Sequence, residues 1–218
     1  MNPGSCRAVS ITDYGYPKKV ALLALSTFAL SACAPSVYVE SNPSAIQFGV
    51  SSVQDVKNQG SGGKELEDNI TINGQPIHTL TYRYMKAAFF SLEAKMRYTT
   101  YFFYNNKLVG KETSSRFDNE STEFDVDKAK TIKNGATRQQ VVAELGKPSG
   151  TFIYPIAKNP GDTGIAYYNA VIHPVPFVGE IETVHEALVS LNNDTVDNIL
   201  VTDDTHALPF DTQLSITR

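Results

Sequence analysis

Four histidines, two cysteines and an acidic stretch near the C-terminus are the residues with the most chemistry to offer in this chain of 218. His78, His173, His185 and His206 include no i,i+4 pair and no neighbouring cysteine, so the spacing that metal ligation uses is missing. Asp203, Asp204 and His206 place acids and a base within four residues. No nucleophile motif such as Gly-x-Ser-x-Gly accompanies them, and a solvated turn at a strand end collects the same residues. Gly60-Ser-Gly-Gly63-Lys64 contains part of a phosphate loop, but the first glycine of that pattern is absent and Glu65 stands where Ser or Thr should be. It reads as a flexible loop. The expectation is therefore no enzyme, no catalytic residue, no metal and no cofactor.

Cys33 is the position with a chemical future. Lys18-Lys19 precede an apolar run, Val20 to Leu30, that is too short to span a bilayer and has the length of an export signal's hydrophobic core. Leu30-Ser31-Ala32-Cys33 follows, and it resembles the lipobox of bacterial lipoproteins, in which small residues precede a cysteine whose thiol becomes a diacylglyceryl thioether. The competing reading is a buried N-terminal helix with an incidental cysteine, and charge, length and cleavage pattern together weigh against it. Cys6 would leave with the signal and Cys33 would be acylated, so no thiol remains for a disulfide or a metal. Met1 to Pro17 make an unusually long leader before the lysine pair, which a misassigned start codon would explain. Ala34, where some lipoproteins carry Asp, resembles the enterobacterial pattern for sorting to the outer membrane. The predicted location is the outer membrane, lipid-anchored and facing the periplasm.

With 41% hydrophobic and 19% charged residues, the chain has the composition of a globular protein. Removing residues 1–32 removes Arg7, Lys18, Lys19 and Asp13, so 19 − 3 = 16 basic and 23 − 1 = 22 acidic residues remain, a net charge of −6. No run of Lys or Arg could neutralise successive phosphates, which excludes nucleic acid as an expected partner.

An internal repeat organises the rest. Ile46-Gln-Phe-Gly49-Val-Ser51-Ser-Val-Gln54-Asp-Val56 matches Ile132-Lys-Asn-Gly135-Ala-Thr137-Arg-Gln-Gln140-Val-Val142 at one offset. Thr137 and Gln140 form a capping box that predicts a helix from Arg138, with Val141, Val142 and Leu145 on its apolar face and Gly146 and Pro148 ending it. Ser51 and Gln54 repeat the box in a degenerate first copy. Strands are predicted at 79–84, 97–104 and 107–113, matched by 165–173, 183–191 and 196–203, with Asn105-Asn106 and Asn192-Asn193 as hairpin turns. The expected segments are a signal peptide at 1–32, a lipidated tether at 33–44, a first repeat at 45–118, a linker with the second repeat at 119–205, and a tail at 206–218.

Ile132-x-x-Gly135-x-Thr137-x-x-Gln140-Val141-x-x-x-Leu145-Gly146-x-Pro148-Ser149, followed by an aromatic strand and a hydrophobic hairpin, resembles the BamE/SmpA/OmlA group of outer-membrane lipoproteins. Two copies resemble instead the tandem architecture of the β-lactamase inhibitor protein. These resemblances imply an α+β fold, a tandem repeat of a short helical pair packed on an antiparallel β-meander, whose sheet binds another protein. They imply a non-catalytic adaptor or structural factor of the cell envelope, with barrel assembly as one setting, or alternatively an inhibitor of an envelope or secreted hydrolase. The implied partners are envelope proteins, the barrel-assembly machinery among them, and the membrane through the lipid on Cys33.

Nine of the 22 Phe and Tyr residues fall between Thr79 and Tyr104, including Phe89 and Phe90. Tyr82, Tyr84, Tyr98, Tyr101, Phe102, Phe103 and Tyr104 are the candidate protein-binding residues. Strand alternation puts Tyr98, Phe102 and Tyr104 on one face and Tyr101 and Phe103 on the other. One face packs on the helices, and the other stays open for recognition unless the sister copy covers it. Burial of the rings decides between these.

Overall fold

Residues that alternate apolar and polar at every second position build strands rather than helices, and such alternation dominates this chain. The computed structural model describes residues 36–86, 95–175 and 179–207. A short strand β1 (Val39–Glu40) is followed by a 3-10 turn at Pro43–Ala45 and helix α1 (Val53–Gln59). Strand β2 (Gly60–Ser61) pairs back on β1. Four long strands come next: β3 (Lys64–Ile72), β4 (Gln75–Lys86), β5 (Lys95–Tyr104) and β6 (Lys107–Ser115). Helices α2 (Val126–Thr131) and α3 (Arg138–Leu145) interrupt before β7 (Gly150–Ile153), β8 (Thr163–Val175), β9 (Gly179–Asn192) and β10 (Thr195–Ala207).

Strands β3 to β10 form one antiparallel sheet in chain order, with β3 and β10 at its edges. The hairpin turns fall where positive φ is tolerated: Asn73-Gly74, Asn105-Asn106 and Asn193-Asp194 all have φ between 47 and 74°. Two successive positive-φ residues match the twist of the flanking strands. The last turn lies one residue beyond the expected Asn192-Asn193.

The sheet curls into a half-barrel. Ile72 of β3 and Leu188 of β9 line the same small cavity, although five strands separate theirs in the sheet order. On the concave face, Ile77, Phe102, Phe152, Ala166 and Leu188 pack with Ile156 and Ala157 from the loop after β7. On the outer face, α1 covers Leu80, Tyr82, Tyr101, Phe103 and Leu108. Helices α2 and α3 cover Ile165, Tyr167, Ala187, Val189 and Leu191.

This architecture corrects the expected α+β tandem repeat of a helical pair on a meander. The fold is mostly β, with three short helices of 7, 6 and 8 residues. The first half contributes one α-helix, not a pair. Strand β7 pairs with β6 on one side and β8 on the other, so the hydrogen-bond ladder runs through the expected junction without a break. Alternating apolar residues on eight neighbouring strands need one continuous sheet to satisfy their backbone, and short helices then serve as covers. The first capping box is also shifted: Ser52 with Asp55 caps α1, because Ser51 is buried and its hydroxyl accepts the Gln47 N–H at 2.9 Å. Helix α3 spans Arg138–Leu145 with Thr137 and Gln140 as its capping box. Cys33, Phe89, Phe90 and the signal segment lie outside the described residues.

Candidate functional site

The two edges of the sheet are unlike. Nine-residue β3 carries Lys64, Glu65, Glu67 and Asp68, four charges that would each have to be matched by an added strand. Charges on an edge strand are a common guard against pairing with another chain. Thirteen-residue β10 is charged at Asp197, Asp203 and Asp204, but Asn198-Ile-Leu-Val-Thr202 between them is free of charge. Leu200 in its middle is 49% exposed.

The rest of β10 is firmly held. At its start, the Gly135 N–H donates to Val196 O and the Val196 N–H to Ala136 O, each at 2.8 Å, so the loop before α3 covers the outer backbone there. A bulge between Val196 and Asn198 ends that contact. Asp197 takes Asn159 Nδ2 at 3.1 Å and has Lys158 Nζ at 3.4 Å. At the far end, Lys130 of α2 reaches Asp203 at 2.7 Å and holds its carboxyl below the usual carboxylate range, while His185 Nδ1 lies 3.1 Å from the same carboxyl. From Asn198 onward, among the described residues, no strand pairs with the outer side of β10. The result is an uncharged, rigidly presented stretch of strand edge.

A second feature lies inside the half-barrel. Glu112 of β6 and Glu186 of β9 both face the concave side and line one small cavity with Phe102, Phe152, Ala166 and Leu188. Glycine at 150 makes the room: a Cβ there would stand 2.4 Å from the Lys111 carbonyl and 2.5 Å from Glu112 Cβ. Glu112 Oε2 is buried with no hydrogen-bond partner. Burial, and then the nearby Glu186 carboxyl, push Glu112 well above the ordinary range, and burial raises Glu186 to about 7. Burial also raises the neighbouring Tyr168 phenol, with Glu112 adding to it. Burial in an apolar pocket disfavours the charged form of both carboxyls, Glu112 more strongly than Glu186. Among the described residues no group of three or more His, Cys, Asp or Glu converges as a metal site would.

The predicted aromatic residues divide between core and half-buried positions. Tyr82, Tyr101, Phe102 and Phe103 are buried, Tyr101 completely so, and a ring without exposed area offers none to a partner. Tyr84, Tyr98 and Tyr104 are half-buried. Tyr84 stacks on Phe117 at 5.8 Å, Tyr98 donates to Met96 Sδ at 3.4 Å, and Tyr104 donates to Gln75 at 3.1 Å. The two faces do separate as alternation requires, but α1 covers one and the curl of the sheet covers the other.

Sequence reasoning missed both the β10 edge and the acid pair. The edge needed the strand order, which no local pattern encodes. Glu186 had a signal, since it alternates with Leu188 on the concave face, whereas Glu112 had none, because the irregularity between Leu108 and Gly110 breaks the alternation before it. Comparison with protein families, curated proteins and solved structures gives no match to this chain.

Proposed function

We propose that this chain is an exported, lipid-anchored, non-catalytic adaptor of the bacterial outer membrane that holds an extended segment of an envelope protein along the free edge of β10. The observation that carries the reading is the uncharged stretch Asn198–Thr202, presented at the sheet edge with Leu200 half exposed. An added strand would gain main-chain hydrogen bonds along this stretch, and alternate side chains would supply selectivity. Strand-forming segments of outer-membrane barrel proteins have the fitting chemistry, which keeps barrel assembly as the setting. The Leu30–Cys33 motif supports the anchor.

The test is photo-cross-linking in cells from a probe at Leu200, with a probe at Thr71 on the opposite edge as control. Capture of a barrel precursor or a barrel-assembly component from Leu200 and not from Thr71 is expected. Capture of neither, or equal capture from both edges, overturns the reading.

A further inference from the structure

The point where the chain enters the sheet is fixed. The Gly63 N–H donates to Ser36 O at 2.8 Å, β1 pairs with β2, and the Tyr38 ring lies so close to Gly60 that a Cβ there would be 2.3 Å from it. Only three residue steps separate Ser36 from Cys33, a span of at most about 10 Å. A lipid on Cys33 therefore brings this end of the half-barrel against the membrane surface.

That end has its own charge. The adjoining strand ends of β3 to β5 and the residue after β6 carry Lys64, Arg83, Lys86, Lys95, Arg97 and Arg116, six of the 16 basic residues from Cys33 onward. Against them among the described residues stand Glu65, Asp118 and Glu120, so the patch is 6 − 3 = +3 in a chain of net −6. Asp118 is held by Lys95 at 2.6 Å and Glu120 by Arg97 at 3.0 Å. Beside them the stacked Tyr84 and Phe117 rings and Val37 line an open hollow. The same end of β9 and β10 has the opposite sign, with Glu182, Asp203 and Asp204 on those strands against Lys130, which pairs with Asp203.

We infer that the β3–β6 half of this end is a membrane-docking surface, and that its cationic residues and the Tyr84–Phe117 pair rest on anionic lipid headgroups. The inference rests on the lipid anchor proposed above. A polybasic patch beside a single lipid attachment is a second, additive attraction to an anionic bilayer, and it falls with salt. The acidic β9–β10 half is repelled, so the molecule leans toward β3–β6. The open edge of β10 then points away from the surface, toward partners.

The test uses the acylated protein in vesicles of phosphatidylethanolamine and phosphatidylglycerol. Nitroxide labels are placed at Asn119→Cys, within the patch, and at Thr71→Cys, seven residues along β3 from Lys64 and so roughly 23 Å further along the sheet. Expected is a several-fold protection of the Asn119 label from a water-soluble relaxation agent and none for Thr71. The protection should disappear on Lys64→Glu, Lys86→Glu and Lys95→Glu combined. High salt should produce the same release without any charge change. An Asn119 label as exposed as Thr71, or protection that survives both charge reversal and salt, overturns the docking surface while leaving the anchor intact. Mass spectrometry showing an unmodified Cys33 thiol overturns anchor and docking together.

Discussion

The Tyr38 ring lies on Tyr82 with centroids 3.9 Å apart and planes 12° from parallel, and its hydroxyl meets that of Tyr101 at 3.0 Å. This stack joins the entering chain to the outer face of β4 and β5. Tyr101 in turn donates to Glu40, which also pairs with Lys111, so the entry segment closes a polar network over a fully buried ring. Burial first, then its bond to Glu40, pushes the Tyr101 phenol far above its ordinary range. Tyr38→Ala should destabilise the domain by roughly 3–5 kcal/mol, the usual loss for a large aromatic in a core. Tyr38→Phe keeps the stack and should lose about 1 kcal/mol. Urea denaturation of both variants measures the difference. A loss below 1 kcal/mol for Tyr38→Ala would mean the entry segment does not hold the sheet.

The concave acid pair makes stability depend on pH in an unusual direction. Glu112 and Glu186 are raised in the folded state, so folding favours their protonated forms. Their contribution is fully present below the unfolded carboxylate range near 4.3 and is lost as pH rises, through about 7 for Glu186. The melting temperature should therefore fall by several degrees between pH 5 and pH 8. Glu112→Gln should flatten that slope and be the more stable protein at pH 8, because the amide carries no charge to desolvate. Calorimetric scans across this range decide it, and a flat profile for the unaltered protein sinks the argument.

Several elements were legible because their determinants are local. Thr137, Gln140 and Gly146 mark the bounds of α3 within ten residues, and the six anticipated strands all exist with modest extensions. What local patterns could not carry was long-range. The similarity of the two halves suggested a helical pair in each and left open whether their sheets join; β7, four residues long, ties β6 to β8 into one ladder. Strand β3 escaped notice because its charges break the expected alternation, and those charges are intelligible only once it is known to be an edge. The aromatic residues were correctly spaced for two faces, yet alternation says nothing about what lies over each face. Glu112 and Glu186 are 74 positions apart in sequence and meet only through the curl of the sheet.

Two glycines keep the concave floor low. A Cβ on Gly164 would stand 2.0 Å from the Phe152 ring, and one on Gly150 would meet the Lys111 carbonyl at 2.4 Å. Neither glycine has a positive φ, so the requirement is space and not backbone freedom. Phe152 is itself buried and cannot swing into solvent. Gly164→Ala and Gly150→Ala should each cost about 1–3 kcal/mol by overpacking. Gly135→Ala provides a contrast, since its positive φ of 89° strains any side chain although no atom lies within 4 Å. Denaturant midpoints separate the two mechanisms: Phe152→Leu should partly rescue Gly164→Ala and should leave Gly135→Ala unimproved.

The uncharged centre of β10 makes the sharpest functional prediction. Leu200 is half exposed, so Leu200→Lys removes little packing and should change stability by no more than about 0.5 kcal/mol. The same substitution places a charge in the middle of the edge, where an incoming strand would have to desolvate it. Binding of a synthetic barrel-strand peptide should weaken by about tenfold or more, read by fluorescence anisotropy with the full acylated protein. Thr71→Lys adds a charge on β3, the opposite edge, whose other half carries Lys64, Glu65, Glu67 and Asp68, and peptide affinity should stay within about twofold. If Leu200→Lys binds as tightly as the unaltered protein while its melting temperature is unchanged, the edge of β10 is not where the partner sits. A matching loss from Thr71→Lys would point instead to a general effect of charge, because the two residues occupy opposite edges of the same sheet.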